Sequence, residues 1–237
     1  MDLNADVGEG FGRWSLGDDA ALMPIITSAN VACGFHAGDP SIIRATCRAA
    51  AAHGVAIGAQ VGYPDLAGFG RRFVDMQPSD LTDAVLYQLA ALEGIARVEG
   101  TRVRYLKPHG ALYNTVVHHE AQAAAVVEAL VAHGGGLAVL GLPGSCIHRI
   151  AAERGIAVVV EGFADRGYTQ AGTLVPRDQP GALITDEAAV RAQTMRLLDQ
   201  GVGSICVHSD TPGAARLAQV VREAIVTTGR TPAPFAS

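Results

Sequence analysis

Short apolar runs of strand length recur along the chain, each closed by glycine, proline or a polar cluster and each followed by an alanine- and leucine-rich stretch of helical period. Seven such runs stand out, at 1–6, 28–33, 55–60, 103–107, 137–140, 157–161 and 204–207. The clearest helix is 79–99, where Leu81, Val85, Leu89, Leu92 and Ala96 share one face and Pro78 and Ser79 mark the start. Two more helices open on a side-chain cap followed by proline, Asp39 before Pro40 and Thr211 before Pro212. Two close where a histidine meets the negative helix end ahead of glycine, His53 with Gly54 and His133 with Gly134, a structural use of both imidazoles.

Strands alternating with helices, with no linker between them, imply parallel strands joined by crossover helices. An open doubly wound sheet would carry a phosphate loop after its first strand. The stretch VGEGFGRW supplies Gly8 and Gly10 but has Arg13 where the third glycine belongs, no acidic residue closes the second strand, and there is no Walker A sequence. Polar residues instead collect after nearly every strand, as in a closed barrel whose site is built at the C-terminal strand ends. Asp6 and Glu9 follow the first strand, His36 and Asp39 the second, Gln60 and Asp65 the third, and Lys107 and His109 the fourth. The sixth supplies Glu161, Asp165 and Arg166, the seventh His208 and Asp210, and the fifth only Ser145. The expected fold is α/β, a seven-stranded TIM-like (β/α) barrel occupying 1–237 as a single domain, a length usual for such barrels.

Composition narrows the function. With 49% hydrophobic residues, 17% charged residues and a net charge of −5, the chain has no basic footprint for nucleic acid. No apolar run reaches the ~18 residues that span a membrane and no basic, apolar leader opens the chain, which points to a cytoplasmic protein without a membrane partner. Small molecules or proteins are the expected partners. Cys33, Cys47, Cys146 and Cys206 lack CxxC spacing and read as free interior thiols.

FHAGDP and VHSDTP are two versions of one device, a strand end that delivers a histidine with an aspartate just beyond. In a closed barrel the last strand lies beside the first and the first beside the second, so His208, Asp6 and His36 fall on consecutive strands about 4.8 Å apart. Two imidazoles and a carboxylate so placed either bind a divalent metal or run acid–base chemistry near neutral pH. The plainer alternative is three satisfied hydrogen-bonding residues at strand ends. Lys107 is the only lysine in the chain. Set between an apolar strand and Pro108, it is expected to be desolvated, with a lowered amine pKa suited to polarising a carbonyl, binding an anion or accepting a proton; a surface ion pair is the alternative. His109 beside it adds another proton carrier.

Read in order, LNADVGEGFG, SANVACGFHAGDP, GYPDLAGFGRR, LKPHGALYN, FADRGY, GTLVPRDQPGA and ICVHSDTPGA cover nearly the whole chain, and together they resemble the LamB/YcsF family. The resemblance implies a barrel related to the glycoside hydrolase and polysaccharide deacetylase barrels. It also implies the role of the A subunit in an ATP-dependent 5-oxoprolinase, opening the lactam of 5-oxoproline to L-glutamate with the B and C subunits and with ATP as co-substrate. It points to Asp6, Glu9, His36, Lys107, His109, His208 and Asp210 as site residues. Joined to the strand-end inventory, the expected roles are catalytic for Asp6, His36, Lys107, His109 and His208, and substrate-binding for Glu9, Asp39, Gln60, Tyr63, Asp165, Arg166 and Asp210. Asp6, His36 and His208 form the candidate metal set, and the expected pose turns the substrate carboxylate toward Lys107.

Two departures bear on this. Where many members read GAHPGYPD this chain reads GAQVGYPD, and Gln60 hydrogen-bonds but does not titrate. Ser209 stands where glycine is usual, and the stretch before the seventh strand is shorter than in many relatives. Two other readings stay open, a stand-alone metal-dependent amide hydrolase or deacetylase, and a non-catalytic binding or scaffold subunit. A homo-oligomer is compatible with each.

Overall fold

In the computed structural model, which describes residues 1–236, the strands are β1 (Asp2–Val7), β2 (Ser28–Ala32), β3 (Ala56–Val61), β4 (Val103–Pro108), β5 (Ala138–Gly141), β6 (Val158–Phe163) and β7 (Ser204–Val207). Each pairs in parallel with its neighbours in chain order, and β1 pairs with both β2 and β7, so the sheet closes and leaves no edge. Between and after them come α1 (Asp19–Leu22), α2 (Pro40–His53), α3 (Pro78–Val98), α4 (Gly110–Thr115), α5 (Glu120–His133), α6 (Cys146–Glu153), α7 (Glu187–Asp199) and α8 (Ala214–Thr227). The TIM-like (β/α) barrel expected from the sequence is present.

Period-two alternation decides what faces where. Leu3, Ala5 and Val7 of β1, Ala29 and Val31 of β2, and Ile57, Ala59 and Val61 of β3 join the apolar layer that also holds Leu81, Val85, Leu89 and Leu92 of α3. Each fully buried leucine there contributes roughly 1.5–3 kcal/mol. The alternate positions fill the barrel with a polar stack. At its base Asp2 accepts hydrogen bonds from Thr27 and Ser28, both 2.6 Å, and from Ser204. Above it Asn30 Nδ2 donates to Asn4 Oδ1 (2.7 Å) and Asp6 Oδ1 (2.8 Å), while the Tyr105 hydroxyl donates to Asn30 Oδ1 (2.6 Å). A buried polar stack is tolerable only when its members satisfy one another, as these do. Gly58 makes room for it, since a Cβ there would lie 2.1 Å from the Tyr105 ring.

The caps divide. Asp39 caps α2 as expected, its Oδ1 accepting from Ser41 N (2.8 Å) and Ile42 N (3.0 Å), and His53 Nδ1 bonds Ala49 O (2.9 Å) ahead of left-handed Gly54. The cap expected at Thr211 is absent. α8 begins at Ala214 behind Gly213, because the Thr211 hydroxyl is spent on Asp165 at 2.6 Å.

Candidate active site

A cavity of about 490 Å³ opens at the C-terminal ends of the strands, with Asp6, Lys107, His109 and His208 in its wall. Lys107 Nζ lies 2.8 Å from Glu161 Oε1, 3.1 Å from Asp6 Oδ1 and 3.2 Å from Cys206 Sγ. Burial alone would lower its pKa, as the sequence suggested. Asp6, Cys206 and Glu161 outweigh burial and raise it well above the ordinary lysine value, so Lys107 is a fixed cation and not a base. In return, although burial pushes the Asp6 carboxyl up, Lys107, His208 and His109, together with the Asn30 hydrogen bond, hold it below the usual carboxylate range. Tyr113 donates to the other Glu161 oxygen at 2.9 Å.

His208 follows β7 directly, with Nδ1 3.0 Å from Asp165 Oδ1. Asp165 is fully buried, and it also accepts from His208 N (3.0 Å) and Thr211 Oγ1 (2.6 Å). Burial pushes its pKa up, but His208 and the Thr211 hydroxyl more than offset this and keep it below the ordinary value. A carboxylate on Nδ1 assigns the proton to that nitrogen and leaves a lone pair on Nε2. The ring stacks on Phe163, centroids 5.1 Å apart and planes at 15°, and lines the cavity. The result is an oriented base. Asp165, expected to bind substrate, does not line the cavity and has its carboxylate on His208 and Thr211.

His36 does not join Asp6 and His208. Three residues separate it from the end of β2, and the chain bends so that its Nε2 meets Gln60 Oε1 at 3.0 Å and its ring stacks on His109 (centroids 4.1 Å, planes at 16°). Gln60 Nε2 in turn donates to Glu9 Oε1 (3.0 Å), and Ser209 Oγ donates to Glu9 Oε2 (3.0 Å). Gln60 and Ser209 therefore hold one carboxyl between them. Phe69, at the unusual φ of 55°, sets its ring edge-on to both imidazoles. Burial lowers the His36 pKa to about 4, and burial together with His36 lowers His109 well below its ordinary value. Burial, then Asp6 and Asp210, push Glu9 up to about 8.

These shifts act on stability with opposite signs. His36 is depressed, so its contribution is present above its ordinary value of 6.5 and is lost as pH falls through about 4. Glu9 is raised, so its contribution is complete below its ordinary value of 4.5 and is lost as pH rises through about 8. Between pH 6.5 and 8 only Glu9 of this pair is still changing. Over that window the wild type is expected to lose about 2 kcal/mol. Glu9→Gln should flatten this slope, as urea midpoints at the two ends would read, and an unchanged slope would refute the protonated Glu9.

Several expected substrate contacts lie elsewhere. Asp39 spends its carboxylate on backbone amides, including Gly12 N at 2.8 Å, and is half-buried at the head of α2. Tyr63 is buried, its hydroxyl donating to Gln122. Glu9, Gln60 and His36 stand behind the cavity wall rather than in it. Asp210 Oδ2 is shared by Arg71 Nη2 (2.6 Å) and Arg177 Nη1 (3.3 Å). Arg166 does reach the cavity, as do Arg71 and Arg177, which the strand-end pattern missed because both lie in long loops. Glu161 was visible as a strand-end acid, whereas Cys206 gave no signal beyond being a thiol.

The metal set expected at Asp6, His36 and His208 is divided between two donor groups, Asp6 with Cys206 and His208, and Glu9 with His36 and His109. Neither fits an ion well. In the first, the Lys107 ammonium already stands against Asp6 and Cys206 and supplies the positive charge. In the second, the Gln60 amide bridges His36 and Glu9.

The LamB/YcsF family model matches residues 1–237. The A subunit of 5-oxoprolinase from Kocuria rhizophila is 56% identical over 249 residues, which span 100% of this chain and 99% of its own. The crystal structure of a lactam utilization protein from Thermus thermophilus matches with a TM-score of 0.93 at 38% identity, covering 99% of each chain. A family 4 carbohydrate esterase from Streptomyces lividans, 12% identical with a TM-score of 0.53 over 98% of this chain and 91% of its own, shares the barrel fold alone.

Proposed function

The chain belongs to the LamB/YcsF family, and from that premise we propose that it is the A subunit of an ATP-dependent 5-oxoprolinase, a single barrel domain that hydrolyses the lactam of 5-oxoproline with the B and C subunits. The observation that carries this reading is the convergence of Lys107, Asp6 and the Asp165-held His208 on one cavity. A lactam is resonance-stabilised, so its carbonyl carbon must be made electrophilic before water attacks. ATP provides that activation as co-substrate. In the full reaction 5-oxoproline, ATP and two waters become L-glutamate, ADP and phosphate.

His208 Nε2, with its lone pair open to the cavity, takes the proton from the attacking water and returns it to the ring nitrogen as the C–N bond breaks. Asp165 stabilises the imidazolium in between. Asp6, kept ionised by Lys107, orients the water, and the Lys107 charge beneath it offsets negative charge developing on the lactam oxygen.

The test is reconstitution. Mixed with the B and C subunits, the chain should release glutamate and ADP in step, and only when all three are present. A mixture with no 5-oxoproline-dependent ATP hydrolysis would remove the assignment.

A further inference from the structure

The cavity mouth carries charge that the lactam chemistry does not use. Arg71, Arg166 and Arg177 all line it, and the acid that pairs with any of them is Asp210, whose single Oδ2 serves both Arg71 and Arg177. Arg166 is 5% exposed and forms no ion pair among the described residues. Its Nε donates to Ala182 O (2.9 Å) and its Nη2 to Val175 O (2.7 Å), which fixes the plane of the guanidinium. Among the described residues nothing accepts from Nη1. Asp165, the nearby carboxylate, has turned both oxygens to His208 and Thr211.

The three guanidinia are close enough to act on one another. Burial lowers the pKa of Arg166 first, then Arg177, with Arg71 adding to it against the opposing pull of Asp165 and Asp210. Like charges gathered in a partly dry wall are unfavourable unless something compensates them, and such gatherings mark functional sites. Asp210 is the acid paired directly with this group, and Asp165, which also acts on Arg166, is held by His208 and Thr211, so the three guanidinia leave positive charge in excess. Clustered guanidinia suit a phosphoryl group, whose several oxygens match the forked donors of arginine. The space agrees, since a volume of about 490 Å³ far exceeds a lactam of ~9 heavy atoms.

We propose that Arg71, Arg166 and Arg177 form a phosphoryl-binding subsite at the mouth of the cavity, separate from the Lys107 and His208 floor. The inference rests on the 5-oxoprolinase reading for the origin of the phosphoryl group, while the site stands on the chain's own charges.

Titration calorimetry of the isolated chain with inorganic phosphate tests it, with acetate as the carboxylate control. Arg177→Gln and Arg71→Gln should each weaken phosphate binding about 10-fold or more, the scale of one charge-assisted hydrogen bond. Both side chains are partly exposed, so the fold should persist, which circular dichroism checks. Asp210→Asn removes the counter-charge and should tighten phosphate. Acetate should bind at least ~10-fold more weakly than phosphate, and saturating 5-oxoproline should leave phosphate bound. No phosphate binding, binding indifferent to all three substitutions, equal affinity for acetate, or displacement by 5-oxoproline would each overturn the subsite. These titrations need neither ATP nor partner subunits, so their failure is distinguishable from a failure of reconstitution.

Discussion

Lys107→Met is expected to lower turnover of the reconstituted complex by about 10²-fold or more, the scale of losing one preorganised charge-stabilising group. It is also expected to destabilise the chain by about 3–5 kcal/mol, because removing one partner of a buried ion pair strands the other. Here two carboxylates, Asp6 and Glu161, would be left around an apolar stem. Lys107 is the main influence that lowers the Asp6 pKa against burial. Without it Asp6 should hold a proton, so the variant's deficit should shrink as pH falls. Urea midpoints at pH ~5 and ~8, on either side of a raised carboxyl, measured beside turnover, check both halves. Full activity, or equal stability to wild type at the higher pH, would contradict a fixed cation at the cavity floor.

Asp165→Asn is the second large effect. The amide cannot reproduce a carboxylate that accepts from His208 Nδ1, His208 N and Thr211 Oγ1 at once. Its NH₂ group must face one of these donors, which frees the imidazole to place its proton on Nε2 and close the lone pair the cavity needs. Turnover should fall by about 10²–10⁴-fold, toward the loss known for the equivalent change in a serine-protease triad. KM should move little, since Asp165 is not in the cavity wall. Nitrogen-15 shifts of His208 would show the tautomer directly. Retained activity with Nδ1 still protonated would show that Asp165 serves only to hold α8.

What was legible in the sequence depended on short-range rules. Helix α3 was readable from five apolar positions on one face, and the Asp39 cap from its proline. At 211 the same cap signature failed, because Thr211 had a stronger partner in Asp165, 46 positions away in the chain. His36 was assigned to the wrong cluster for a related reason. Adjacency of strands was inferred correctly, but His36 lies beyond β2, where a bend rather than strand spacing sets its position.

By itself the sequence determined the closed barrel and the gathering of polar residues at its C-terminal strand ends, because alternation, capping and the placing of polar residues at strand ends are local consequences of backbone geometry. Only the tertiary structure decided which charges meet. Whether Lys107 is a lowered base or a raised cation depends on Glu161 and on Asp6, the latter 101 positions away, both brought to it by barrel closure. Whether Asp165 binds substrate or orients His208, and whether Asp210 is free or shared by two arginines, likewise rests on loops folding back over the strand ends. Electrostatic energy depends on separation in space and on local desolvation, and neither is encoded in spacing along the chain.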